Sequence, residues 1–345
     1  MTTPRPAYRM PFEGHRHSQT VMCWPHRSDA KMYGDHLDAM QEGYVAVAEA
    51  ISCFEPVTMV AHPDHADSAR KMLGNRATVV PIPIDDSWAR DSGPTFVQAP
   101  DGQIAGVSWR FNAWGEKHEP WDNDDRLAGH LLDHLDIPVI ESWLTMEGGG
   151  LATDGEGTLV VSETNVLNGN RNPGVNKRLA EAELKACLGI DKVIWLPGDP
   201  MDTETDGHID GMVAFVKPGV VLFESNPDMT QPHARILAEN RKVLEAETDA
   251  AGRKLKIIDL PEAVGAAGLD IAGDSDFADV MCRSYINFYL TNGGVVMPGY
   301  GIPADAVARD IVAKAYPDRE VVQIDVRTIA PFGGAVHCIT QNVPA

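Results

Sequence analysis

Apolar positions recur along this chain in two periods. Residues 35–52 (DHLDAMQEGYVAVAEAIS) carry them three and four apart, which predicts a helix. Residues 57–61 then form a short apolar run of strand length, closed by a His-Pro turn. The helical period returns at 66–73, and 77–84 reads as extended. Further extended runs are expected at 95–97, 104–111, 158–162, 193–196, 212–216, 220–224, 255–258, 286–290, 295–297, 321–326 and 335–339. Helices are expected at 176–188, 233–251 and 304–315, the last entered through Pro303. Strands and helices alternate throughout, and no Pro/Ser-rich linker divides them, so the pattern predicts an α/β fold in a single domain, residues 1–345. Neither G-x-G-x-x-G nor G-x-x-x-x-G-K occurs, which disfavours a nucleotide-binding sheet.

Composition narrows the partners. The 345 residues are 43% hydrophobic, enough for a sizeable core. With 29 Lys and Arg against 50 Asp and Glu, the formal net charge is -21. Such a surface repels nucleic acid and anionic membranes and draws in cations, although it also serves solubility alone. The five cysteines, Cys23, Cys53, Cys187, Cys282 and Cys338, are scattered and form no CxxC pair, so neither a disulfide framework nor a structural zinc site is expected. The first ten residues lack the apolar core of a signal peptide, and no apolar run reaches membrane-spanning length. A cytoplasmic setting follows as the expectation.

Five stretches place polar residues beside glycine, at 88–94, 147–150, 207–211, 284–294 and 333–338, as though repeated modules aimed chemistry at one centre. In the first, Asp91 follows Trp88 and Arg90. A carboxylate beside an indole suits a flat cation, but Asp91 could equally pair with Arg90 or cap the turn. In the second, Glu147 precedes three glycines and is either a surface acid or a partner that holds a histidine. In the third, a strand starting at 207 would put His208 and Asp210 on one face, as general acid/base beside a cation binder. H-x-D is also metal-ligand spacing, and proton transfer ranks above metal. Asn287 in the fourth is a substrate contact or a strand-edge bond. Cys338 in the fifth follows Gly333, Gly334 and His337 and is a candidate nucleophile. If 335–339 is a strand, His337 faces away from Cys338, which leaves His208 as the better base.

Taken in order, the segments WARDSGPTFV (88–97), FNAWG (111–115), EGG (147–149), DGEGTL (154–159), LNGNRNP (167–173), GHID (207–210), SYINFYLTNGG (284–294) and GGAVHCITQ (333–341) resemble the agmatine deiminase branch of the guanidino-group-modifying superfamily, which includes bacterial peptidylarginine deiminases. The resemblance implies that superfamily's five-bladed pseudo-symmetric α/β propeller (pentein fold), with one catalytic domain and the site on the central axis. It implies Cys338 as nucleophile, His208 oriented by Glu147 as acid and base, Asp91 and Asp210 gripping a guanidinium, and Trp88 and Asn287 at the substrate. It implies no metal and no organic cofactor. The expected reaction is hydrolysis of a small cationic guanidino compound, agmatine first, to N-carbamoylputrescine and ammonia through a covalent thiouronium. Another guanidine, or amidino transfer to an amine, stands as the alternative, with a metallohydrolase behind both. The sequence departs from the family pattern at Gly150-Leu151-Ala152, Gly211 and Ala335-Val336, all bordering the expected pocket. The acidic residues 202–206 and Asp85–Asp86 are the expected receivers of a far amine. Homo-oligomers are the general expectation for such enzymes.

Overall fold

The structure is a computed structural model and describes residues 8–27, 33–266 and 281–345. Its strands are β1 (His17–Cys23), β2 (Val57–Ala61), β3 (Thr78–Pro81), β4 (Thr95–Gln98), β5 (Ile104–Arg110), β6 (Val139–Thr145), β7 (Ala152–Thr153), β8 (Thr158–Ser162), β9 (Lys192–Leu196), β10 (Val213–Lys217), β11 (Val220–Ser225), β12 (Lys256–Pro261), β13 (Tyr289–Thr291), β14 (Gly294–Gly299), β15 (Glu320–Asp325) and β16 (Thr340–Pro344). They fall into five sheets built on one plan. A hairpin pairs two strands antiparallel, a helix crosses back, and a third strand joins parallel to the second. This gives β4-β5-β6, β7-β8-β9, β10-β11-β12 and β13-β14-β15. The remaining sheet, β16-β1-β2-β3, draws its first strand from the other end of the chain, with Met22 opposite Thr340 and His17 opposite Pro344. This is the five-bladed α/β propeller.

The helix Lys177–Leu188 shows how local chemistry makes one module. The Asn176 side chain accepts from Leu179 N at 3.1 Å and caps its start. Ala180, Leu184, Cys187 and Leu188 form one buried stripe against Leu159 and Val161 of β8. Burying each leucine contributes about 2 kcal/mol. Gly189, at φ 63°, ends the helix in the left-handed region that an L side chain disfavours. The helix expected at 233–251 stops earlier, at Ala246. There Asp249 accepts from the N–H groups of Ala251 and Arg253 and folds the following residues into a turn.

Each sheet's first strand is preceded by a short irregular segment, and these segments carry the five polar stations. The helical turn Ala89–Ser92 precedes β4, Gly148–Gly150 precedes β7 and Ile209–Gly211 precedes β10. Residues 284–288 precede β13, and 333–339 precede β16. Three expected strands are thereby corrected. Residues 207–210 and 335–339 form turns, and pairing in the fourth station begins only at Tyr289. Asn287 spends its side chain on the backbone of 335–338 rather than on a ladder, which holds both loops open toward the centre. Among the described residues, no helix is long and apolar enough to cross a membrane.

Candidate active site

The five segments bring Asp91, Glu147, His208, Asp210, Asn287 and Cys338 together, all buried. Gly149 marks the meeting point. A Cβ placed there would lie 2.5 Å from His208 Nδ1, 2.9 Å from Asp91 Oδ1 and 3.1 Å from Asp210 Oδ2. Only the absence of a side chain lets two carboxylates and an imidazole converge at this point. Asp91 does not pair with Arg90. Its Oδ1 accepts from Gly149 N at 2.9 Å and its Oδ2 from Trp114 Nε1 at 2.9 Å. Burial raises its pKa; the His208 charge opposes this, while Asp210 and Glu147 reinforce it.

His208 is held from behind. Its Nε2 donates to Glu147 Oε2 at 3.3 Å, and Nδ1 faces Asp91 Oδ1 at 3.8 Å with no hydrogen-bond partner among the described residues. Glu147 also accepts from Arg171 Nε and from Asn165 Nδ2, each at 3.0 Å. Arg171 is anchored in turn by Asp206 and by the Thr205 carbonyl. Burial would raise the Glu147 pKa, but the His208 hydrogen bond and the Arg171 charge bring it down to about 2. Burial would lower His208, but Asp91 and Glu147 raise it to about 9. The pair is therefore an imidazolium on a carboxylate at neutral pH, with one N–H aimed into the site.

Cys338 Sγ lies 3.1 Å from Asn287 Nδ2 and 3.5 Å from Asp210 Oδ2. Asn287 is the clamp of this corner. Its Oδ1 accepts from the N–H groups of Ala335, His337 and Cys338, and its Nδ2 reaches both Asp210 and the sulfur. Burial pushes the thiol well above its ordinary range, and the Asp210 charge, Cys282 and Asp91 push the same way. Because 335–339 is a turn, His337 does not face away from the site. It donates from Nδ1 to Asp210 Oδ2 at 2.7 Å and from Nε2 to Glu13 Oε1 at 2.8 Å, and Arg90 closes the chain on Glu13 at 2.8 Å. Burial would raise Asp210, yet the His337 hydrogen bond and charge keep its pKa low. Trp88 stands behind Gly334, where an added Cβ would meet its ring at 2.4 Å and Cys338 Cβ at 2.8 Å.

A cavity of about 280 Å³ opens onto His208, Asp210, Asn287 and Cys338 and runs out past Asp202, Glu204 and Glu224. Asp206 is tied to Lys117 and Arg171, while Asp85 and Asp86 face Asn123, Tyr33 and the carboxylate of Asp124, so these three sit apart from the cavity walls. Reasoning from the sequence missed His337, Glu13, Arg90, Trp114, Asn165 and Arg171 as site residues. For Trp114 and Arg171 a signal existed, since both lie in the quoted segments at 111–115 and 167–173. Among the described residues, no group of three or more His, Cys, Asp or Glu side chains is arranged to hold a metal ion.

Five ββαβ modules around a buried Cys-His-carboxylate centre define a guanidino-group-modifying enzyme of the pentein fold. The chain belongs to the Porphyromonas-type peptidyl-arginine deiminase family, which it matches over residues 9–344. It is 39% identical over 362 residues to the agmatine deiminase of Stutzerimonas stutzeri, covering 100% of this chain and 98% of that one. It is 40% identical over 361 residues to the agmatine deiminase of Pseudomonas aeruginosa strain UCBPP-PA14, covering 100% and 98%. The solved structure of the Enterococcus faecalis agmatine deiminase superposes with a TM-score of 0.92 at 33% identity, covering 98% of this chain and 96% of that chain.

Proposed function

We propose that this protein is a hydrolase of carbon–nitrogen bonds in linear amidines, converting agmatine to N-carbamoylputrescine and ammonia with Cys338 as the nucleophile. The observation that carries the reading is the convergence of Asp91, Asp210 and His208 on one point, with the Cys338 sulfur 3.5 Å from Asp210. A guanidinium between two carboxylates is held by charge-assisted hydrogen bonds and kept cationic, so its carbon stays electrophilic. Its positive charge also offsets the anions that keep the thiol protonated, so substrate binding itself favours the thiolate. The thiol proton is released to solvent as the substrate binds, and the thiolate adds to the guanidinium carbon. The His208 Nδ1 proton passes to the departing nitrogen, the C–N bond breaks, and ammonia leaves a thiouronium on Cys338. Neutral His208 then takes a proton from water, hydroxide adds to the same carbon, and the C–S bond breaks to give the ureido product. The proton left over from the attacking water restores the thiol, so the cycle closes.

The roles of the supporting groups follow from their contacts. Glu147 and Arg171 hold the His208 ring and raise its basicity. Asn287 donates to the sulfur and pins the 335–338 turn, while His337, backed by Glu13 and Arg90, keeps Asp210 ionised and aimed. A ureido-product screen over agmatine, arginine, 4-guanidinobutyrate and methylguanidines tests the reading. Ammonia and ureido product from agmatine, without an added acceptor amine, are expected. No turnover of agmatine, or turnover only with an acceptor amine present, would overturn it.

A further inference from the structure

The cavity that opens onto Cys338 is also lined by an unusual residue. Glu224 occupies β11, the central strand of its sheet, in the run Val220–Ser225. Alternation puts Val221 and Phe223 into one apolar cluster and Leu222 into another on the opposite face, the face that Glu224 shares. A position of this kind ordinarily takes an aliphatic side chain. Glu224 is 5% exposed, lines the same cavity as Cys338, His208 and Asp210, and has an Oε1 with no hydrogen-bond partner among the described residues. Ser284 and the His233 charge favour the carboxylate, but among the described residues no donor reaches Oε1, and leaving that buried oxygen unpaired is costly, so a donor arriving through the cavity would satisfy it.

The other cavity acids are already engaged. Asp202 accepts from the N–H groups of Glu204, Thr205 and Gly207. Glu204 holds His118 at 2.5 Å. Asp199 and Glu262 grip the two ring nitrogens of His233, each at 3.3 Å. Burial would lower His233, but these contacts raise it to about 10, so it stays an imidazolium between its two acids. Arg283 lines the same end and lies near Glu262. Among the described residues, the carboxylates of Asp199, Asp202, Glu204 and Glu262 outnumber His233 and Arg283 and leave this end of the cavity negative even before Glu224 ionises. Gly211 keeps the passage open, because a Cβ there would meet nothing nearer than Ser284 Cβ at 4.0 Å.

We infer that Glu224 receives the terminal ammonium of the substrate and selects guanidines with a cationic tail. The inference rests on the deiminase reading above and assigns the far end of that site. An alkyl tail would leave the Glu224 oxygen unpaired, and a carboxylate tail would meet like charge. Burial raises the Glu224 pKa to about 8; the His233 charge and a Ser284 hydrogen bond oppose this and Glu262 and Asp199 reinforce it, so an incoming ammonium favours the ionised form.

The test compares three substrates of similar length: agmatine, pentylguanidine (a methyl group in place of the ammonium) and 4-guanidinobutyrate. Wild-type enzyme should prefer agmatine to both. In Glu224→Gln, kcat/KM for agmatine should fall about tenfold or more, mainly through KM, while pentylguanidine changes less than about twofold. The ratio between the two substrates is the readout, so a general loss of activity does not imitate the effect. Should Glu224→Gln not fold, Glu224→Asp supplies the same ratio. An unchanged ratio in the variant, or a wild-type preference for 4-guanidinobutyrate, overturns the inference and leaves deimination standing. Turnover of none of the three defeats the reading of the site beneath it.

Discussion

At the scale of single residues, the proposed site sets the carboxylates of Asp91 and Asp210 against the His208 imidazolium. Asp91→Asn and Asp210→Asn each remove one arm of the cation clamp, and kcat/KM for a guanidine should fall about a hundredfold or more, since breaking a buried ion pair costs about 3 kcal/mol or more. Near-normal values in both variants would take these residues out of the site. His208 sets the pH response. Its folded pKa of about 9 lies above the ordinary 6.5, so the stability of its contacts is full below 6.5 and is lost as pH rises through about 9. Glu147 is depressed to about 2 from 4.5, so its share is full above 4.5 and is lost as pH falls through about 2. The alkaline limb of kcat/KM should follow the deprotonation of His208. Glu147→Gln removes the adjoining anion and should move that limb down by about one unit. A limb that stays in place would mean that another group titrates there.

At the scale of elements, the site depends on loops that no periodicity describes. Gly149 is the sharpest case. Gly149→Ala would drive a methyl into His208 Nδ1 at 2.5 Å, so kcat/KM should drop about a hundredfold while the far-ultraviolet circular dichroism stays that of the wild type. Retained activity would show that the loop gives way and that the convergence is not needed. Most strands and helices were legible, because β2, β8 and the helices Ala66–Leu73 and Ala304–Ala315 bury continuous or evenly spaced apolar faces. β1, β6 and the helix Asp122–His134 were missed. β1 mixes polar residues into its start, β6 is largely exposed along its first half, and the first turn of the helix carries three acids. The turn at 335–339 read as a strand because its apolar residues alternate, yet Asn287 claims its N–H groups. Residue types marked Asp91, Glu147, His208, Asp210, Asn287 and Cys338 as candidates, the structure brings them together, and their proposed roles came from the resemblance. Their supports, Glu13, Arg90 and His337, come from both ends of the chain and from the first station, and no local spacing links them.

At the scale of the molecule, the propeller closes by pairing β16 with β1, and a buried carboxylate locks the seam between that blade and its neighbour. Glu55 accepts from His17 at 3.0 Å, Thr20 at 2.6 Å, Tyr289 at 3.3 Å and Asn292 N at 2.7 Å, which joins the first blade to the one built on β13. Glu55→Ala strands several buried donors and should cost about 3 kcal/mol in urea denaturation; a loss below about 1 kcal/mol would show that the seam holds without it. Closure matters for chemistry because Cys338 lies at that seam, two residues before β16, and the acids it faces come from other blades. The most direct test of the account is the intact mass of the protein quenched during turnover with agmatine. Wild-type chains should carry an adduct equal in mass to agmatine less ammonia, mapped to Cys338, and Cys338→Ser should bind agmatine but carry none. Turnover without an adduct at Cys338 in wild-type enzyme, or near-normal turnover by Cys338→Ser, would contradict it.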